Sequence, residues 1–581
     1  MPEAPAIFFD SFVSGHYSSS WRFDGYVMTV AASCHGEVPG VLKQVEQAAA
    51  DGLYAAGFVA YEAAPVLNPD LPSVPHLEGL PLVWFALFRE RSTITSERGH
   101  LATSPEITLE ASRNIDQYSA DVARIRRYIA AGDCYQVNHT FSLQETFTGN
   151  DHELYTHIAL AQQSPFCAYL DIGRFAILSA SPELFFSLKN GCISTRPMKG
   201  TARRGRWAGE DIDAIERMRN NGKERAENLM IVDLLRNDLG IVAETGSVSV
   251  DALFEIETYP TVHQMTSSVS AHLQSGTCLT DIFRALFPCG SVTGAPKRRS
   301  MEIIAEIEGN PRGVYCGAIG CVAPGGEAVF SVAIRTLLLD RQNSLLTMGV
   351  GSAVTWDSEA PSEYDEYLSK GAFVNQQGHD FRLIESLRLE ESGAYTLLDR
   401  HLARLKASAE YFGFAWDAEK IRQTLSNHAA QTNKPCKVRL LLGADGSVES
   451  DSETLIETSR VLRVGISCIR INSTDSFRYH KTSCREIFNE ARASCPDCDE
   501  VILLNEHGQL TEGSYHSLVV KLDGRLVTPA LACGLLPGVL REELLEKGTI
   551  AERILYPADL KRAAEVWLIN SVRGWRPCVV I

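Results

Sequence analysis

Two lysines stand where an amine could do chemistry. Lys199 lies in "PMKGT" (197–201), just after the alternating run "FFSLKNGCISTR", and Lys481 lies in "FRYHKTSCREIF". A lysine attacks carbon only as the neutral amine, so burial or a cationic neighbour must lower its pKa. The bland alternative is a solvated side chain, and local sequence alone leaves both readings open.

Four glutamates form two further candidates. Glu224 and Glu227 in "KERAENLMIVDLLRND", and Glu363 and Glu366 in "SEYDEYLSK", are each spaced three apart. That spacing puts each pair on one helical face, where like charges repel. Convergence of the pairs on a hard divalent cation such as magnesium would relieve the repulsion. Lys223, Arg225 and Lys370 stand nearby, so on spacing alone two solvated helix faces are the preferred reading.

Glycine-rich turns add anion-binding candidates. "PCGSVTGAPKRRSMEII" (288–304) is a turn ahead of a helix, and "MGVGSAV" (348–354) brings backbone amides close together. "CGLLPG" (533–538) opens another helix, downstream of Lys481. A lysine followed by such a helix start suits pyridoxal phosphate. Arg335 alternates with apolar residues in "SVAIRTLL", which fits an edge position or a buried carboxylate clamp equally well.

The elements that must carry these residues are readable in part. "FAILSASPELFFSL" predicts two strands about a Ser-Pro turn. "GEDIDAIERMRNNGKERAENLMIVDLLRNDLG" predicts helix with a break at "NNG" and a stop at Gly240. "AVFSVAIRTLLLD" and "SLLTMGVGSAVT" predict consecutive strands, and "SEYDEYLSKGAFVNQQ" a helix capped by Ser362. The pattern restarts after "QQGHDF". "FRLIESLRLE" reads as strand and "LLDRHLARLKASAEYFGF" as helix. Later come strand, turn at "EHG", strand, hairpin turn at "LDGR" and the helix after "CGLLPG". The predicted domains are 1–373 and 381–581, joined by a short linker at 374–380.

A chain of 581 residues exceeds what one core supports, which agrees with two domains. A formal charge of −17 argues against nucleic acid or an anionic membrane as partner. No signal-peptide pattern or membrane-length apolar run is evident, and the 15 cysteines are scattered, so a cytoplasmic protein with reduced thiols is expected. Cys495 and Cys498 form the single C-x-x-C, without a second pair to complete a zinc site.

"SPELFF", "PMKGT", "ENLMIVDLLRNDLG", "PCGSVTGAPK", "RGVYCGAIG", "SVAIRTL" and "GVGSAV…SEYDE" occur in this order. Together they resemble the chorismate-utilising enzymes, from about residue 115 to 373. The resemblance implies an α/β sandwich of facing antiparallel sheets with the active site between them. It implies Glu227 and Glu366 as magnesium ligands, with Glu224 and Glu363 as companion carboxylates holding metal-bound water. It implies His263, Thr293, Tyr315, Arg335, Lys370 and the amides of Gly349, Gly351 and Ser352 as substrate contacts, and Glu183 of "SPELFF" as an acid. Where anthranilate synthases read "PIAGT", aminodeoxychorismate synthases read "PIKGT", so Lys199 matches the nucleophile of the latter.

"RLIESLRL", "HLARLKASAEYFGF", "HKTS", "LLNEHGQLTEGS" and "GLLPGVLRE" resemble the fold-type-IV pyridoxal-phosphate enzymes over residues 381–581. By that resemblance Lys481 carries the cofactor and Glu512 faces its pyridine nitrogen. Arg404, Ser571 and the amides after Gly538, those of Val539 and Leu540, would contact its phosphate. The sequence departs from the pattern in two ways. Ser517 stands where an asparagine is usual, and the segment that usually precedes the first strand is missing, which the first domain could supply.

The two resemblances together imply a two-step activity. Chorismate would be aminated to 4-amino-4-deoxychorismate, then stripped of pyruvate to give 4-aminobenzoate for folate. Alternatives are an anthranilate synthase-type first domain, and an aminotransferase or a non-catalytic scaffold as the second. No glutaminase nucleophile motif is evident, so ammonia from a separate glutamine amidotransferase subunit is expected. Fold-type-IV enzymes are commonly dimers, which makes a homodimer a further expectation.

Overall fold

The computed structural model describes residues 4–13, 17, 19–72, 74–94, 107–375, 381–432, 434–455 and 460–581. Most of the linker expected at 374–380 lies outside the described residues. The chain folds as two compact units. One comprises Met1–Arg203 and Ile215–Gly378; the other comprises His379–Ile581 together with Arg204–Ala214. That short segment falls inside the first half of the sequence and folds with the second unit.

The first unit is built on antiparallel pairing. The strand Gln136–Thr146 runs in unbroken register against Leu345–Val354, from Leu345 opposite Thr146 to Val354 opposite Val137. Pairing continues through Thr336–Asp340, Phe175–Ser181 and Phe166–Asp171. It then passes through the N-terminal strands and on to Leu184–Lys189, Cys192–Arg196 and Val262–His272. Two stretches within this order face each other. Phe58, Trp84 and Ile319 from one stretch pack with Leu170, Phe175 and Ile177 from another in a shared apolar core. Helices cover the outer faces through two more cores: Val38–Ala50, Gly222–Gly240 and Leu279–Leu286 on one side, Ile115–Ala130, Asp151–Gln162 and Lys297–Glu308 on the other.

The second unit holds a three-stranded antiparallel meander, Leu383–Leu389, Cys436–Leu442 and Val448–Thr454. Leucines of its inward face meet the helices Leu398–Phe412 and Ala418–Gln431. A mixed eight-stranded sheet completes the unit, with Leu462–Ile471 parallel to both Glu500–Asn505 and Gly574–Val580.

Local signals account for most boundaries. The break at "NNG" separates Ala208–Asn220 from Gly222–Gly240, and Asn221 caps the second helix by accepting the Lys223 and Glu224 amides. Two expectations are corrected. The helix predicted to start after Ser362 begins at Ala360, with Glu359 as N-cap, because Pro361 already fixes a first-turn conformation. Arg335 is not a strand residue: the predicted strand splits into Ala328–Val332 and Thr336–Asp340, and Arg335 sits between them at φ 49°. That left-handed backbone turns its side chain out of the ladder, which hydrophobic alternation cannot reveal.

Gly57 and Gly320 pair directly across two neighbouring strands. A methyl on Gly320 would lie 2.1 Å from the Val329 carbonyl oxygen, and one on Gly57 would lie 1.9 Å from that of Trp84. The obstacle is backbone in both cases, so it cannot swing aside. Gly320→Ala is expected to destabilise the first unit by about 2–3 kcal/mol, read by urea unfolding.

Candidate functional site

In the first unit the sequence-predicted residues converge. Lys199 lies on the strand Met198–Arg203. Its side chain is half-buried, and its amine is enclosed by protein atoms. Burial lowers its pKa and the Lys370 charge lowers it further, while Glu227, Glu183 and Glu366 oppose the shift. One amine thus feels three of the predicted carboxylates and the second predicted cation. Glu183 sits in the turn between Phe175–Ser181 and Leu184–Lys189 and is 3% exposed. Burial pushes its carboxyl up to about 7, against the pull of the Ser291 hydroxyl, the Lys199 charge and the Met198 amide. Its Oε1 has no hydrogen-bond partner. A carboxyl raised to about 7 beside an amine whose charge is disfavoured is an arrangement able to pair an acid with a nucleophile.

The four glutamates come from two helices. Glu224 is raised by burial and by Glu227 and Glu366; Glu363 is raised by burial and by Glu366, with Ser358 and Lys370 opposing. Burial also works to raise Glu366, but Lys370, at 2.8 Å, holds it low. Glu224 Oε2 and Glu363 Oε2 are buried without partners. The Glu224 carboxylate rests on Gly200, where a methyl would come within 3.1 Å of it. Buried, unpartnered carboxylate oxygens that repel one another fit a divalent cation. Among the described residues, no three ligating side chains already stand close enough together to hold one. The Lys370 ammonium, bonded to Glu366 and to the Gly351 carbonyl at 2.9 Å, occupies the counter-charge position.

The expected substrate contacts divide. Arg335 is enclosed, with its pKa lowered to about 10 by burial. Its guanidinium donates to the neutral Gln162 amide oxygen at 2.5 Å, and no carboxylate among the described residues pairs with it. Gly349 and Gly351 lie under the Tyr315 ring: a methyl on Gly349 would be 2.2 Å from it. Pairing of their strand with Thr336–Asp340 stops at Met348, so from Gly349 through Ser352 to Val354 one strand edge has no described strand partner. His263 is fully buried, with Nδ1 3.1 Å from the Thr258 hydroxyl. The Thr293 hydroxyl donates into its own turn, to the Cys289 and Gly290 carbonyls. A cleft of about 700 Å³ also opens in this unit, and it meets the predicted residues only at Tyr315 and Gly349.

The second unit gathers its own set. The Lys481 carbonyl accepts the Ile384 amide at 2.8 Å, which pins the lysine turn to the first strand of the meander. Burial lowers the Lys481 amine to about 8, helped by Arg404 and Arg485 and opposed by Glu385 and Glu512. Burial raises Glu512 to about 7, and its Oε1 accepts the Leu536 amide at 3.1 Å. Arg404 spans two groups, forking onto Glu385 at 2.9 and 2.7 Å and donating to the Pro537 carbonyl at 3.0 Å. Gly538 is the N-cap of Val539–Glu546, with no side-chain cap, so the first-turn amides of Val539 and Leu540 have no intrahelical acceptor. A methyl on Gly538 would lie 2.5 Å from the Ser517 hydroxyl. Ser571 follows the strand Glu565–Asn570, in a turn where Asn570 accepts the Val572 and Arg573 amides. An enclosed amine of low pKa, a buried carboxyl and an uncapped helix start beside an arginine fit pyridoxal phosphate.

Residues 31–376 match the family model described as chorismate binding enzyme. The chain belongs to the chorismate-binding enzymes. Fused to that domain, residues 382–581 match amino-transferase class IV. Over 262 residues the chain is 42% identical to aminodeoxychorismate synthase component 1 of Klebsiella aerogenes, covering 45% of this chain and 57% of that protein. Over 255 residues it is 38% identical to anthranilate synthase component 1 of Aquifex aeolicus, covering 44% and 51%. The solved anthranilate synthase component I of Streptococcus pneumoniae matches with a TM-score of 0.54 at 25% identity, over 64% of this chain and 92% of that one. The chain spans about half the length of the curated relatives it matches. No helix among the described residues is long and apolar enough to cross a membrane.

Sequence reasoning missed several supporting residues of this chorismate-binding enzyme and of its class IV unit. Ser291 stabilises the Glu183 carboxylate, Gln162 holds Arg335, and Asn228, fully buried, accepts from Ser267 at 2.6 Å. Ser291 lay inside a quoted motif; Gln162 is distant in sequence and carried no signal. In the class IV unit, Glu385 organises Arg404 and His401.

The lowered Lys481 amine has a stability consequence. Its folded pKa of about 8 lies below the ordinary 10.5. The unfolded chain therefore binds more protons between those values, and stability rises with pH across that window. Lys481→Met is expected to stabilise the cofactor-free class IV unit at pH 7 by about 1–2 kcal/mol, with the gain fading toward pH 10.5. Urea titrations at the two pH values read the difference.

Proposed function

We propose that the chain makes 4-aminobenzoate in two steps: amination of chorismate to 4-amino-4-deoxychorismate, then elimination of pyruvate. The observation that carries this reading is the placement of Lys199, an amine of lowered pKa beside the proton-holding Glu183.

Neutral Lys199 Nζ adds at carbon 2 of chorismate while the double bond shifts and the 4-hydroxyl departs. Glu183 gives that hydroxyl its proton, so it leaves as water. Ammonia then adds at carbon 4, the double bond shifts back and the Lys199 amine is expelled, to be reset for the next turnover. Two displacements return the new nitrogen to the carbon that lost oxygen. An alanine at this position would leave ammonia to add directly at carbon 2, the outcome expected of an anthranilate synthase. Arg335, with no carboxylate partner among the described residues, suits a substrate carboxylate. Glu224, Glu227, Glu363 and Glu366 would hold magnesium, which supplies charge neutralisation for a carboxylate.

In the class IV unit, Arg404 and the Val539 and Leu540 amides would hold the phosphate of pyridoxal phosphate, Glu512 its ring nitrogen and Lys481 its aldehyde carbon. When bound, the group supplies an electron sink for bond cleavage next to the substrate amine. With its pKa near 8, Lys481 takes and returns protons near neutral pH, which suits loss of the ring proton that accompanies aromatisation. Ammonia would come from a separate glutamine amidotransferase subunit, and a cytoplasmic setting fits this chemistry.

The test is incubation with chorismate, magnesium, ammonia and pyridoxal phosphate, with product identification. The expected product is 4-aminobenzoate with one pyruvate; 2-aminobenzoate would overturn the reading in favour of anthranilate synthesis. Lys199→Ala is expected to lower 4-aminodeoxychorismate formation by about 10³-fold or more, and Lys481→Ala to leave that step intact while 4-aminobenzoate formation stops. The amination rate is expected to fall as pH rises through about 7, where Glu183 loses its proton. Glu183→Gln should be slower by about 10²-fold and lack that alkaline limb.

A further inference from the structure

Lys481 is preceded by two buried rings, Tyr479 and His480, and both are held by a segment remote in sequence. Arg204–Ala214 belongs to the second unit. Within it, Arg206 Nη1 donates to the Tyr479 hydroxyl at 2.9 Å, the Ser473 carbonyl at 3.1 Å and the Ala532 carbonyl at 3.2 Å. Its Nε and Nη2 are anchored on Glu210 at 2.9 and 3.0 Å. The Trp207 ring lies 4.9 Å from that of Tyr479. The Tyr479 hydroxyl in turn donates to Ser473 at 2.8 Å.

His480 is bracketed from the same segment. Arg204, forked onto Asp211 at 2.9 and 2.7 Å, lies 4.1 Å over the Tyr411 ring, whose hydroxyl donates to the Gly205 carbonyl at 2.8 Å. Tyr411 packs 4.3 Å from the His480 ring, and His480 Nδ1 meets the Ser408 hydroxyl at 2.9 Å. Burial lowers His480 to about 4, so it is a neutral packing group at physiological pH.

Ala532 gives the contact its direction. It opens the loop that runs through Leu536 and Pro537 to Gly538. In that loop the Cys533 carbonyl accepts from Asn505 at 3.0 Å, the Leu536 amide binds Glu512, and the Pro537 carbonyl binds Arg404. Arg206 is therefore one side chain bonded both to the turn that ends at Lys481 and to the loop that ends at the uncapped helix start. An apolar side chain there would take one donor from each of these three acceptors and leave the Tyr479 hydroxyl alone to bridge the Ser473 and Ala532 carbonyls.

We infer that Arg206 is a positioning residue of the Lys481 site, setting the distance between the lysine amine and the phosphate-binding helix start. This rests on the reading of that site as a pyridoxal-phosphate site.

The test uses the full-length chain stripped of cofactor. Pyridoxal phosphate is titrated into the native protein, Arg206→Met and Arg206→Lys, with its visible absorbance as readout. Arg206→Met is expected to weaken binding at least 10-fold, and Arg206→Lys to recover part of the loss, because an ammonium can still donate to three acceptors. Hydrogen exchange of residues 473–481 and 532–538, measured without cofactor, should quicken in Arg206→Met. Should Arg206→Met fail to fold, Tyr479→Phe removes one acceptor of Arg206 and should weaken binding several-fold. Native-like affinity in Arg206→Met, or in Tyr479→Phe where only it folds, would overturn the inference while leaving the cofactor site intact. Failure of the native chain to bind pyridoxal phosphate would overturn the reading of the site itself, and the inference with it.

Discussion

Burial of ammonium groups is the constraint on which both candidate sites depend. A lysine is useful as a nucleophile or proton carrier only when its charged form is disfavoured, and the surest way to disfavour a charge is to withdraw it from water. Withdrawal must be partial, since an isolated buried ammonium would disrupt the fold. Lys199 and Lys481 reach the same compromise with different neighbours. Around Lys199, carboxylates and Lys370 pull in opposite directions; around Lys481, Arg404 and Arg485 are set against Glu385 and Glu512. In each case the partner carboxyl, Glu183 or Glu512, is itself buried enough to rest near 7. Each carboxyl is thereby poised near neutral pH, beside an amine whose charged form burial disfavours.

The scaffold explains how such charge can be kept apart from the apolar cores. In the first unit the chemistry-bearing residues sit at turns and strand ends, or on helix faces turned from the core. Glu183 occupies a turn, and Arg335 occupies a break between two strands. Within the sheets, glycines such as Gly57 and Gly320 let strands approach where any side chain would intrude. In the second unit Gly538 does the same for a helix start, holding backbone amides open beside Arg404.

Much of this was legible in the sequence, and what was not has definite causes. The helix pair about Asn221 and the strands about the Ser-Pro turn follow from local capping and turn chemistry. Ordered motifs pointed to Lys199, Glu183 and the glutamates, and folding brings these into electrostatic contact. Spacing alone favoured solvated helix faces for the glutamates; the unpartnered buried oxygens of Glu224 and Glu363 depend on tertiary packing, for Glu224 against Gly200 of the Met198–Arg203 strand. Arg335 read as a strand residue because periodicity carries no information on a single left-handed φ. Gln162 and Ser291 act through tertiary neighbours, and Arg204–Ala214 joins the second unit through aromatic and guanidinium contacts spread over hundreds of residues of sequence.

That displaced segment bears on how such a chain can be inherited. The stretch of gene encoding residues 379–581 does not encode a whole folded unit, because Arg204–Ala214 is written inside the other one. Fission of the gene between the two family regions would strand part of one product in its neighbour. Fusion is thereby built into the second unit's own fold, since it draws part of its structure from sequence written within the first.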